Sequence, residues 1–223
     1  NYLKKTVEIQ NNYALAFFCL ANVHVDLKEF NDAVSCYQRA IEINPNYASA
    51  HNNLGLVFRG LNDFQSAINC YHKTIQIQPN HAGAHHNLAL AFKEIGEFEK
   101  SIKSHQIAIK YEPENLAHYY YLSELKKDIL NISLKNKILK IIANVKSTKS
   151  NIAFGNYLLA RYDRKIKSYE SELNYLIKGH QNYFLSKKKK FDLGVKYCFD
   201  DVIQIAKKTK LEKLGPKSEK KIK

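Results

Sequence analysis

The 223 residues suffice for one compact domain or an array of smaller units, and 45% hydrophobic with 25% charged residues is the balance of an ordinary folded protein. Eight glycines and four prolines are too few for an all-β sandwich, and the longest apolar run, Tyr13 to Ala21, is far too short to span a bilayer. The net charge of +14 lies wholly in the second half: residues 1–113 hold 10 basic and 10 acidic side chains, residues 114–223 the other 25 and 11. Four scattered cysteines without a CxxC pair form neither a disulfide framework nor a zinc knuckle, and point to a reducing, cytoplasmic setting. There is no methionine, so the native start and any targeting signal are expected to lie outside the chain.

In chain order, residues 1–13 (NYLKKTVEIQNNY) align with CYQRAIEINPNY and CYHKTIQIQPNH downstream, with Asn11 where proline stands elsewhere. They are expected to be the second helix of a repeat whose first helix is missing. Three segments then align without a gap, 14–47, 48–81 and 82–115, punctuated by Pro45, Pro79 and Pro113 at a spacing of 34 residues. Each holds two stretches with apolar residues at three- and four-residue spacing, the pattern of paired amphipathic helices. Small residues recur at repeat position 8 (Ala21, Gly55, Ala89) and position 20 (Ala33, Ala67, Ser101), where two helices must approach closely. Leucine holds position 7 (Leu20, Leu54, Leu88), and position 24 carries Tyr37, Tyr71 and His105. Proline at position 32 ends the second helix, because the residue before proline avoids helical geometry.

A 34-residue period with these residues resembles the tetratricopeptide repeat. The resemblance implies an all-α fold: a right-handed α-solenoid of helix pairs, since one pair alone cannot bury its apolar face. Position 4, often tryptophan in that family, is here Phe17, His51 and His85. The two histidines are expected to be half-buried aromatics with satisfied nitrogens rather than metal ligands.

After residue 115 the period fails. Residues 116–125 still fit a first helix, with Tyr119 and Leu122 at positions 4 and 7, but Ser147 stands where the next proline is due. Residues 116–186 are expected to form degenerate helix pairs, one of them around 152–163 and 170–184, followed by a basic helix and tail over 187–223. This stretch resembles the non-catalytic region preceding the catalytic domain of tetratricopeptide-linked sulfotransferases. There a helix pair ends in Gly-Asn before a basic linker; here Gly179-His180 stands in that place, and Glu172 where a small residue is usual.

No residues point to catalysis or a cofactor within the chain. A sulfate donor's phosphates need a strand, a Gly-rich loop and a helix N-terminus, whereas GPKSEKK has one glycine and no strand before it. Nine histidines include the cluster His81, His85 and His86, but no HExxH and no Cys/His quartet, so no metal is expected. Only four arginines stand among 35 basic residues, which makes nucleic acid an unpromising partner for the lysine runs.

A protein or an extended peptide is the expected partner. In the tetratricopeptide family the first helices line a concave groove through positions 2, 5, 6, 9, 12 and 13. The resemblance carries that role onto Phe18, Asn22, Asn52, Asn53, Leu56, Arg59, His86, Asn87, Leu90, Lys93, Tyr120 and Tyr121. Asn53 and Asn87 share position 6 of consecutive copies and are expected to face solvent, where each amide can both donate to and accept from a peptide backbone. This resembles the asparagine-lined repeats of O-linked N-acetylglucosamine transferases. It departs from the carboxylate clamp that holds chaperone tails, because Phe18 and Gly83 stand at its lysine positions. The alternative function is the substrate-recruiting region of a sulfotransferase; the plainer account of the asparagines is a solvated face shaped by codon bias.

Overall fold

The computed structural model describes residues 2–187, with side chains from residue 13 onward. The expected basic helix and tail over 187–223 lies outside them except for its first residue, Lys187. The described residues are all-helical, and they divide into two compact units that meet between Ile129 and Leu130.

The first unit holds α1 (Tyr2–Leu27), α2 (Phe30–Ile43), α3 (Ala48–Gly60), α4 (Phe64–Ile77), α5 (Ala82–Glu94), α6 (Phe98–Tyr111) and α7 (Leu116–Leu125), ending in a 3-10 turn at Lys127–Ile129. Helices pair within each copy, α1 with α2, α3 with α4 and α5 with α6, and each second helix packs on the first helix of the next copy. α7 continues this stack on α6, so it belongs with the repeats rather than with the residues that follow.

Each junction follows from a repeated residue. Asn44, Gln78 and Glu112, the residues before the three prolines, leave helical geometry with φ of −132°, −134° and −126°. Within each copy the turn is made by position 15 in the left-handed region: Lys28, Asn62 and Gly96 have φ of 64°, 63° and 79°. The next N–H then reaches back to close the first helix, Glu29 to His24 O, Asp63 to Phe58 O and Glu97 to Phe92 O, each at 2.9 Å.

The small residues do what close packing requires. Ala21, Ala33, Ala67 and Ala89 are wholly buried, as is Ser101, whose hydroxyl donates to Ala89 O at 2.7 Å. Gly55 sits under a close contact: a Cβ there would lie 2.6 Å from Tyr71 Cε1, so the tyrosine would have to shift. Between copies, Leu88 and Ala91 pack on Ala67, Ile68 and Tyr71, and Leu54 and Val57 on Ala33, Tyr37 and Ala40.

One expectation needs correction. Residues 1–13 are not a separate helix, because Tyr2–Leu27 is a single helix that runs through Asn11 without a break. Asparagine keeps its N–H and exerts no steric pressure on the preceding residue, so nothing ends the helix where proline ends its equivalents. Leu20 is accordingly 45% exposed, whereas Leu54 and Leu88, each covered by the second helix of the preceding copy, are 5% and 4% exposed.

The second unit holds α8 (Ile132–Ala143), α9 (Lys149–Lys165) and α10 (Tyr169–Lys187). α8 falls within the degenerate helices expected over 116–186 and starts 34 residues after α6; Asn131 caps it by accepting from Leu134 N, and it buries Leu134, Ile138 and Ile141. α9 and α10 form a helix pair with the turn found in the repeats: Lys167 has φ 62°, and Ser168 N reaches Asp163 O at 2.9 Å. Counting from that turn, Ala160 falls at position 8, Glu172 at position 20 and Gly179 at position 27. All three are buried, and a Cβ on Gly179 would meet Tyr157 Cε1 at 2.6 Å. The buried Glu172 carboxylate is satisfied by Arg164, whose Nε donates to it at 2.6 Å.

Candidate functional site

Position 4 marks the start of each groove helix. His51 Nε2 donates to Pro45 O at 3.0 Å, His85 Nε2 to Pro79 O at 2.9 Å, and the Tyr119 hydroxyl to Pro113 O at 3.1 Å. A carbonyl can only accept, so both histidines carry their proton on Nε2. The contact ties each first helix to the loop that ends the preceding copy. Phe17 cannot donate, and the residue it would reach, Asn11, lies within α1, where no loop needs holding.

The four asparagines of the expected groove are brought together, though not as separate solvated amides. Asn87 Nδ2 donates to Asn52 Oδ1 at 3.1 Å, Asn52 Nδ2 to Asn53 Oδ1 at 3.3 Å, and Asn53 Nδ2 to Asn22 Oδ1 at 3.2 Å. Asn22 Oδ1 also accepts from the Tyr37 hydroxyl at 2.5 Å. All four are half-buried. The expectation that Asn53 and Asn87 face solvent fails because amides one helix apart satisfy each other before they meet water. The chain spans α1, α3 and α5 and leaves amide donors on Asn22, Asn52 and Asn87, and the Asn87 carbonyl, uncommitted among the described residues.

Beside the network a half-open cavity of about 170 Å³ is lined by Asn22, Val25, Phe30, Tyr37, Asn53, Leu56 and Val57. Burial raises the Tyr37 pKa above its usual value, partly opposed by a hydrogen bond from Asn53, so the phenol stays a neutral donor. The expected site residue Phe18 is half-buried and packs on Tyr37 and Tyr47, with ring centres 5.8 and 5.0 Å away. Arg59 and Leu90 are half-buried.

Further along, Lys93 pairs with Glu124 at 2.6 Å. His86 sits among aromatic rings, with His105, His118 and Tyr121 centred 5.2, 4.9 and 5.1 Å away. Tyr121 lies flat against His105 and meets Tyr120 edge-on. Burial pushes the His86 pKa down to about 3 and that of His105 to about 4, with the neighbouring imidazoles adding to the shift. His118 is also lowered by burial, against the pull of Glu112, whose carboxylate is 3.0 Å from Nε2. His105 and His118 are buried beneath His86 and were not singled out from the sequence; for His105 the signal was a histidine at position 24, where the first two copies carry tyrosine.

Family models recognise a TPR repeat over residues 21–61 and tetratricopeptide repeats over 48–81 and 84–117. Residues 21–117 of this chain carry tetratricopeptide repeats. Among solved structures, the Arabidopsis OM64 TPR domain superposes with a TM-score of 0.52 at 22% identity, covering 53% of this chain and 98% of that one. The first TPR of Spaghetti, bound to an HSP90 peptide, gives 0.51 at 16% identity, with 54% and 96% covered. No curated protein matches the chain. These comparisons lend the sulfotransferase resemblance of residues 116–223 no support. No helix among the described residues is long and apolar enough to cross a membrane.

Proposed function

We propose that the groove of α1, α3, α5 and α7 binds an extended segment of another polypeptide, which makes the chain a protein-interaction scaffold. The observation that carries this reading is the linked amide chain Asn87–Asn52–Asn53–Asn22, running across three consecutive copies with donors to spare. Peptide carbonyls can take those donors whatever the side chains of the bound segment. The adjoining cavity, walled by Val25, Phe30, Leu56 and Val57, has room for an aliphatic side chain. Because the amides are already ordered by one another, binding loses less rotamer entropy than it would with free side chains.

The Spaghetti domain holds an HSP90 peptide, SRMEEVD. Here Phe18 carries no charge and Gly83 has no side chain to offer, so backbone recognition suits this chain better than capture of an acidic tail. Side-chain amide NMR spectra collected during titration with selected peptides test this: the resonances of Asn22, Asn52 and Asn87 should shift together. Shifts confined to residues outside α1, α3, α5 and α7 would contradict it.

A further inference from the structure

We propose that the outer face of α1 is a self-association surface, on which the α1 of a second copy of this chain packs antiparallel to form a two-fold dimer. α1 carries two apolar faces. Ala14 and Ala21 are buried, and Phe17, Phe18 and Val25 pack with the core of the first copy. On the opposite side Tyr13, Ala16, Leu20, Val23 and Leu27 are exposed, the four large ones by 45–62%. One apolar stripe is enough to seat a helix on its own core, so a second stripe needs a second partner. In the later copies the equivalents of Leu20 have one: α2 packs on Leu54 and α4 on Leu88.

Three observations identify the occupant as a second copy. First, positions 13, 16, 20, 23 and 27 alternate steps of three and four, the seam of a helix that coils against another helix. The same steps continue in the sequence through Ile9, Thr6 and Tyr2, so the seam runs the whole 26-residue helix, about 39 Å. α3 and α5, by contrast, begin at Ala48 and Ala82, the equivalents of Ala14. Residues 2–13 are therefore an extension of α1 without counterpart in the other copies, and so short a helix is marginal in water unless something lies along it.

Second, the seam is complementary to itself when reversed. In an antiparallel pair each a position meets a d position of the other helix. That register sets Leu20 opposite Ile9, Val23 opposite Thr6 and Leu27 opposite Tyr2, and around the two-fold axis it sets the bulky Tyr13 opposite the small Ala16. A parallel pair would stack Ala16 on Ala16 and Tyr13 on Tyr13, leaving a gap beside a crowded layer. Third, the same register brings Lys5 of one copy beside the exposed Asp26 of the other, twice by symmetry. Opposite charges flanking a seam favour that orientation over its alternatives.

The test is sedimentation velocity of the full chain at physiological salt, from low to high micromolar concentration. The wild type should show a reversible monomer–dimer equilibrium. Leu20→Asp/Val23→Asp places charges in the dimer seam but on the open surface of the monomer. It should weaken association roughly a hundred-fold or more while circular dichroism stays helical. Asp26→Lys sets like charges face to face and should weaken association several-fold, and adding Lys5→Glu should restore it. A wild type that stays monomeric throughout, a dimer that survives Leu20→Asp/Val23→Asp, or a Lys5→Glu/Asp26→Lys variant that associates no better than Asp26→Lys alone would overturn the proposal.

Discussion

Tyr37 and Tyr71 occupy the same repeat position, yet their hydroxyls have opposite fates. The Tyr37 hydroxyl donates to Asn22, whereas the buried Tyr71 hydroxyl finds no partner. Tyr37→Phe should therefore destabilise the protein by about 0.5–1.5 kcal/mol, and Tyr71→Phe should be neutral or stabilising, as urea unfolding would show. The buried histidines His86, His105 and His118 make stability depend on pH. Their folded pKa values lie below the usual 6.5, so the unfolded chain binds protons first as pH falls. The stabilisation is complete above about pH 6.5 and is lost as pH drops toward 4. Melting temperatures across that window should fall, and fall less steeply in His105→Tyr. None of this was visible in the sequence, where His105 reads as a mild replacement of tyrosine. Its neighbours His86 and His118 sit at different repeat positions, so no periodicity pairs them.

Whole helices were more legible, because their ends and close contacts are written in residue types with few alternatives. The prolines predict where α2, α4 and α6 stop, and the small residues at positions 8 and 20 predict which faces meet. Gly55→Ala should cost about 1–3 kcal/mol, since Tyr71 must give way, and Gly179→Ala should cost a similar amount against Tyr157. Gly60, with nothing within 4 Å of its added Cβ, is the contrast. Gly60→Ala should stabilise by roughly 0.5–1 kcal/mol, through helix propensity alone. Thermal unfolding of the three variants separates packing from propensity. Two details escaped the sequence reading. The continuity of α1 depends on what Asn11 fails to do; α8 starts one 34-residue period after α6, but its buried Leu134, Ile138 and Ile141 each fall one residue before the places that Ala33, Tyr37 and Ala40 hold in the first copy.

At the scale of the molecule, the repeats present a net-neutral half and the remainder carries all of the +14. Two ways of holding a partner follow, amides in the groove or lysines beyond it, and they differ in their response to salt. Exposed charges are screened over about 8 Å at physiological ionic strength, so binding through lysines weakens steeply as salt is added. Neutral amide contacts do not. The groove positions were legible because a repeat fixes which helix faces inward; the linkage among the asparagines was not, since Asn87 and Asn52 are 35 residues apart and at different repeat positions. The linkage also means that alanines at Asn53 and Asn87 remove hydrogen bonds to Asn22 and Asn52, so a small loss of stability should accompany any loss of binding. The most direct test is a peptide-binding titration of wild type and the Asn53→Ala/Asn87→Ala double variant at low and high salt. Loss of the uncommitted Asn87 donor and carbonyl, together with release of Asn22 and Asn52 from the linked chain, should weaken binding roughly ten-fold or more at both salt concentrations. Affinity unchanged by the alanines but abolished by salt would contradict the groove account.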